Sequence, residues 1–158
     1  MPKTTPYRQI LAYVSFGPQD AQVIQQACAL AKANGAQLRL LHIVDVDPSL
    51  DGSAGLTPAQ EAGAYESVAM VRLQAMTHGH TDIQFECHVR VGRPALAFQQ
   101  FTRDWMPQLV VTARQSQHMA QGPWDALILN NPSASWLGNL MDWSKSRSAD
   151  MSVAAGTA

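Results

Sequence analysis

Apolar and polar positions along the chain alternate between two periods, and the switches between them mark the elements. Ile10 to Val14 is an unbroken apolar run closed by Gly17 and Pro18, which predicts a buried strand ending in a turn. Ile24, Ala27, Cys28 and Ala31 then recur at i, i+3, i+4 and i+7 up to Gly35, so a helix follows with Pro18 near its start. In "QLRLLHIVDV" both faces are apolar, Leu38 and Leu40 against Leu41 and Ile43, as in a strand covered on two sides. A polar loop "DPSLDGSAGL" leads to "TPAQ", where Thr57 caps, Pro58 takes the first helical position and Gln60 reaches back; this predicts a helix from Pro58 to about Thr77.

"IQFECHVRV" instead alternates cleanly, with Ile83, Phe85, Cys87, Val89 and Val91 on one face and polar residues on the other. One wet face predicts an edge strand. A helix from Pro94 carries Ala97, Phe98, Phe101 and Trp105 inward, and "PQLVVTA" is a further apolar strand. After Ala113 the pattern weakens. Asn131 and Pro132 form a cap and first turn before an apolar stripe of Trp136, Leu137, Leu140 and Met141. The tail from about residue 144 is small and polar, and its anchors Met151 and Val153 are expected to form a fifth strand.

Strands alternating with helices, joined by right-handed crossovers, give a doubly wound α/β sheet. The 158 residues, 46% hydrophobic and 15% charged, fit one domain spanning 1–158. A net charge of -1 without a basic cluster disfavours nucleic acid and anionic membranes as partners. No apolar stretch approaches the roughly 18 residues of a membrane span. Cys28 and Cys87 lie in no CxxC or multi-cysteine framework and read as buried, reduced thiols, so the expected location is cytoplasmic.

The order of "ILAYVSFG", "ANGAQLRLLHIVD", "VRVGRPALAFQQF" and "QLVVTA" resembles the universal stress protein family from Tyr7 to about Leu140. The resemblance implies that family's adenine-nucleotide alpha-hydrolase-like fold: a five-stranded parallel sheet of order 3-2-1-4-5 with helices on both faces, and a homodimer paired through the last strand. It also implies a division between members that bind ATP and a branch similar to universal stress protein A that does not. In the binders a strand-end Asp meets the nucleoside and a G-x2-G-x9-G-(S/T) segment wraps the phosphates, where glycine lets backbone N–H groups approach closely.

Carried over residue by residue, the Asp position is Ser15, and the early glycines fall on Ala113 and Ser116 with Gln115 between them. The terminal Gly-Ser is best matched by Asn130-Asn131 after a longer spacer, and Pro132 offers no N–H. Ser15, Ile43, Thr112, Ala113, Gln115, Ser116, Asn130, Asn131 and Ser133 are therefore the candidate residues of a degenerate nucleotide cleft. The expectation is a non-enzymatic stress-response protein without a cofactor, acting through a protein partner. The alternative is a nucleotide sensor that binds ATP, AMP or another adenine nucleotide in an altered cleft.

Other constellations carry less. "SFGPQD" matches the SGGxDS pyrophosphate loop poorly, and no Ser/His/Asp triad can be assembled. His78, His80, Cys87 and His88 lack the convergence a zinc site requires. His42, between Leu41 and Ile43, reads as a hydrogen-bonded core histidine. Asp45 and Asp47 read as a solvated strand end, with Asp45 able to meet a ribose at the sheet's C-terminal edge. Trp105 and Trp136 are expected core anchors; Trp124 is expected to cover the altered loop or pack in the core rather than form an interface.

Overall fold

A computed structural model describes residues 6–46, 55 and 57–129. Its elements, in order, are β1 (Gln9–Tyr13), α1 (Asp20–Asn34), β2 (Gln37–Asp45), α2 (Pro58–Met76), β3 (Phe85–Gly92), α3 (Pro94–Trp105), β4 (Leu109–Ala113), a 3-10 helical segment (Arg114–Ala120) and β5 (Asp125–Leu129). The five strands form one parallel sheet of order β3-β2-β1-β4-β5. The expected order 3-2-1-4-5 is thus present, and the half-polar strand, β3, lies at an edge.

Local chemistry sets the boundaries. Gly35 ends α1 in the left-handed region at φ 61°, where a side chain would be strained, and its N–H caps the last turn. Thr57 and Gln60 form the reciprocal capping box at the start of α2, each bonding the other's backbone N–H. Pro94 occupies the first turn of α3.

Alternation along the strands splits the core in two. Ile10, Ala12 and Val14 of the first strand and its exit join Leu38, Leu40, Leu109 and Val111 under α1 and α2. Leu11, Tyr13, Leu41, Ile43 and Val110 point the other way, against Phe98, Phe101 and Trp105 of α3. Cys28 is buried and Cys87 only half-buried, so the expectation of two buried thiols holds for the first alone. Both are free, and burial pushes the Cys28 thiol up to about 11.

The fifth described strand is not where the sequence pattern put it. It lies at Asp125–Leu129, inside the stretch read as a spacer, while Met151 and Val153 fall outside the described residues. "DALIL" is short and buries only Leu127 and Leu129 fully, so a lone apolar run gave no period to separate strand from loop. Its partner decides: register pairs Val111 with Leu127 and Ala113 with Leu129, which returns the chain to the sheet's C-terminal edge.

Candidate functional site

β1 and β4 are neighbours in the middle of the sheet while their following connections diverge, and ligands of such sheets bind in the crevice at that point. The crevice is bounded here by the turn Ser15–Gln19 after β1 and by the 3-10 segment after β4.

The turn is held from below. Asp20, 1% exposed at the start of α1, accepts from the Ser15 N–H through Oδ1 at 3.3 Å. Burial pushes its carboxyl above the ordinary range, against the opposing pull of the Ser15, Gly17 and Phe16 N–H groups and of Arg72. Its Oδ2 has no hydrogen-bond partner among the described residues. His42 Nδ1 donates to the Val14 carbonyl at 2.6 Å. Burial lowers the imidazole pKa despite that bond, which fits the neutral ring and the core role expected of it.

Phe16 sits at φ 60°, a conformation that costs an L-residue roughly 1–2 kcal/mol. Two contacts hold it there: its ring stacks on His42 with centroids 3.6 Å apart, and the Arg72 guanidinium lies 4.2 Å from its centre. The turn is therefore shaped by an Arg72–Phe16–His42 stack. Phe16, Gly17 and Asp20 read in the sequence only as a strand-to-helix turn that matches a pyrophosphate loop poorly, and Arg72 is not singled out there, although an aromatic residue between Ser15 and Gly17 in a turn is a visible signal.

The far wall reaches across. Gln115 Nε2 donates to Ser15 Oγ at 3.1 Å, joining two candidate residues a hundred positions apart. The same amide lies so close to Gly17 that a Cβ built there would sit 2.0 Å from Nε2. Gly17 thus makes room for the Gln115 side chain.

The remaining candidates are scattered. Ile43 packs in the α3-side core beside Leu41. Thr112, fully buried, has no partner for its hydroxyl among the described residues, and Ala113 belongs to the core under α1 and α2. Ser116 is buried at φ −110°, without the positive φ that the early glycines of a phosphate loop supply. Asn130, Asn131 and Ser133 lie outside the described residues, as do Trp136 and Trp143.

Gly122, the one glycine between Arg114 and Leu129, serves a tryptophan. A Cβ there would meet the Trp124 ring at 2.2 Å. Trp124 donates from Nε1 to the Ala120 carbonyl at 2.7 Å and meets Phe98 edge-on at 5.9 Å, so it packs half-buried against the core in which Trp105 of α3 is buried. A cavity of about 1320 Å³ lies away from the crevice between α3 and the β4–β5 connection, among Phe98, Met119 and Trp124. The Tyr7 hydroxyl donates to Asp125 at its edge at 2.5 Å. The crevice has the sheet-edge geometry, so we take it as the candidate site.

Cys87 packs toward the α1–α2 core, whereas His88 points to the opposite face and meets Glu86 at 3.3 Å. Asp45 is exposed at the end of β2, and Asp47 is outside the described residues.

Comparison with known proteins adds to this geometry. The model of the universal stress protein family matches residues 6–133. No curated protein sequence matches the chain. Among solved structures, a universal stress protein in complex with cAMP aligns at 12% identity over 79% of this chain and 98% of its own, with a TM-score of 0.54. Universal stress protein UspA from Lactobacillus plantarum aligns at 18% identity over 78% and 98%, TM-score 0.53. The universal stress protein from Archaeoglobus fulgidus in complex with dAMP aligns at 16% identity over 79% and 99%, TM-score 0.50.

Proposed function

The chain belongs to the universal stress protein family, and on that premise we propose that it is a non-enzymatic member whose nucleotide cleft is closed by its own Gln115 and which acts through protein contacts. The observation that carries this reading is the Gln115–Ser15 hydrogen bond, with the amide seated on Gly17. A nucleoside entering the crevice has to displace that amide and leave the Ser15 hydroxyl to find another partner. No aspartate stands at the end of β1 to compensate, and Ala113 and Ser116 replace the glycines that would bring N–H groups to a phosphate. Two free thiols are consistent with a reducing, cytoplasmic setting, and a homodimer is the family expectation carried into this reading.

A second reading has its own support. The obstacle is a flexible side chain rather than backbone, and two relatives of the same fold hold cAMP and dAMP. On that reading the cleft accepts an adenine mononucleotide when Gln115 swings away. Calorimetric titration of the full chain with ATP, ADP, AMP and cAMP separates the two. The preferred reading gives no binding heat; micromolar binding abolished by Asn131→Asp would replace it with the second. Neither reading expects nucleotide turnover above background.

A further inference from the structure

Helix α2 meets the core along one stripe: Ala69 and Leu73 are buried, and Met70 and Met76 pack half-buried beside them. Its opposite side is not polar in compensation. Val68 and Val71 are 71% and 68% exposed, and Tyr65 is 44% exposed beside them. Valine is a poor helix former whose stiff side chain gains nothing from water, so two of them side by side on an outward face work against the isolated helix. A helix apolar on two sides is one that packs on two sides.

The outward residues follow a rule. Half-buried Glu61 and exposed Ala64, Val68, Val71, Ala75 and His78 succeed one another at intervals of 3, 4, 3, 4 and 3, the spacing of a two-stranded coiled-coil seam. His78 continues the winding beyond the Thr77 cap, with its N–H directed at the Ala75 carbonyl at 3.4 Å. Glu61 accepts from the Tyr65 hydroxyl at 3.3 Å.

The seam is complementary to itself in reverse. Under a two-fold axis passing between Val68 and Val71, Val68 of one copy meets Val71 of the other, Ala64 meets Ala75, and acidic Glu61 meets basic His78 at each end. The small alanines allow the close interaxial approach, and the antiparallel arrangement sets each helix's acidic first turn against the other's C-terminus. We propose that the outward face of α2 is a homotypic docking surface that pairs antiparallel with α2 of a second copy through the Glu61–His78 seam. Arg72, on the same helix, reaches the crevice turn through Phe16, but none of the seam residues is a candidate residue of the cleft, so the proposal does not depend on how the cleft is read.

Sedimentation of the full chain at about 50 µM, enough to populate any pair of micromolar affinity or tighter, tests it with two double variants. Val68→Glu with Val71→Glu halves the sedimenting mass while circular dichroism and melting temperature are retained. Val68→Leu with Val71→Leu adds methylenes to the same seam and tightens association by about tenfold or more, an effect that loss of folding cannot produce. A monomeric wild type overturns the proposal. So does a mass that neither variant changes, which would assign assembly to another surface. A monomer that the glutamates destabilise would also overturn it, because the face would then be packed within the chain itself.

Discussion

Asp20 shows how one residue couples stability to the shape of the crevice. Its carboxyl is buried and holds its proton more tightly in the fold than in the open chain, because desolvation outweighs the N–H groups and Arg72 that favour the charge. A raised folded pKa contributes stability below the unfolded value, and that contribution is lost as pH rises through the folded value. Asp20→Asn retains an oxygen to accept the Ser15 N–H but cannot titrate. Relative to this variant, the wild type therefore gains stability as pH falls from 7 towards 4, measurable by urea unfolding at several pH values. A difference that is flat with pH, or that runs the other way, would show that hydrogen bonding and Arg72 dominate instead. Phe16 belongs to the same scale: a strained φ is tolerated because His42 and Arg72 hold its ring from two sides.

Among the elements, α2 stands out for its thin attachment. Leu73 is fully buried and is the large side chain among the two buried residues of the helix. Leu73→Ala should cost about 2–5 kcal/mol of unfolding free energy. Hydrogen exchange should then show α2 opening ahead of the central strands; uniform protection across α2 and β1 would contradict that. Four strands and three helices were legible in the sequence because each carried its own period, cap or proline: Thr57–Gln60 for α2, Pro94 for α3, the alternation of Phe85 to Val89 for β3. β5 was not legible. "ALIL" has no period of its own, and what makes it a strand is its pairing with β4. The site was harder still, since Gln115 and Ser15 meet only through the sheet's topology, which no local window contains. The absence of early glycines at Ala113 and Ser116 could be read directly; what replaced their function could not.

For the whole molecule, the fold supplies a crevice at the centre of the sheet, and this chain's residues then set its use. The family match and the structural relatives fix the architecture, while the function follows from the site. The central claim is that Gln115 occupies the place a nucleoside would take. The most direct test is a calorimetric titration of AMP into the wild-type chain and into Gln115→Gly, which removes the amide. The account predicts no binding to the wild type below about 1 mM, a free energy weaker than roughly −4 kcal/mol, and a gain of at least about tenfold in the variant. Micromolar binding by the wild type, unchanged by Gln115→Gly, would contradict it.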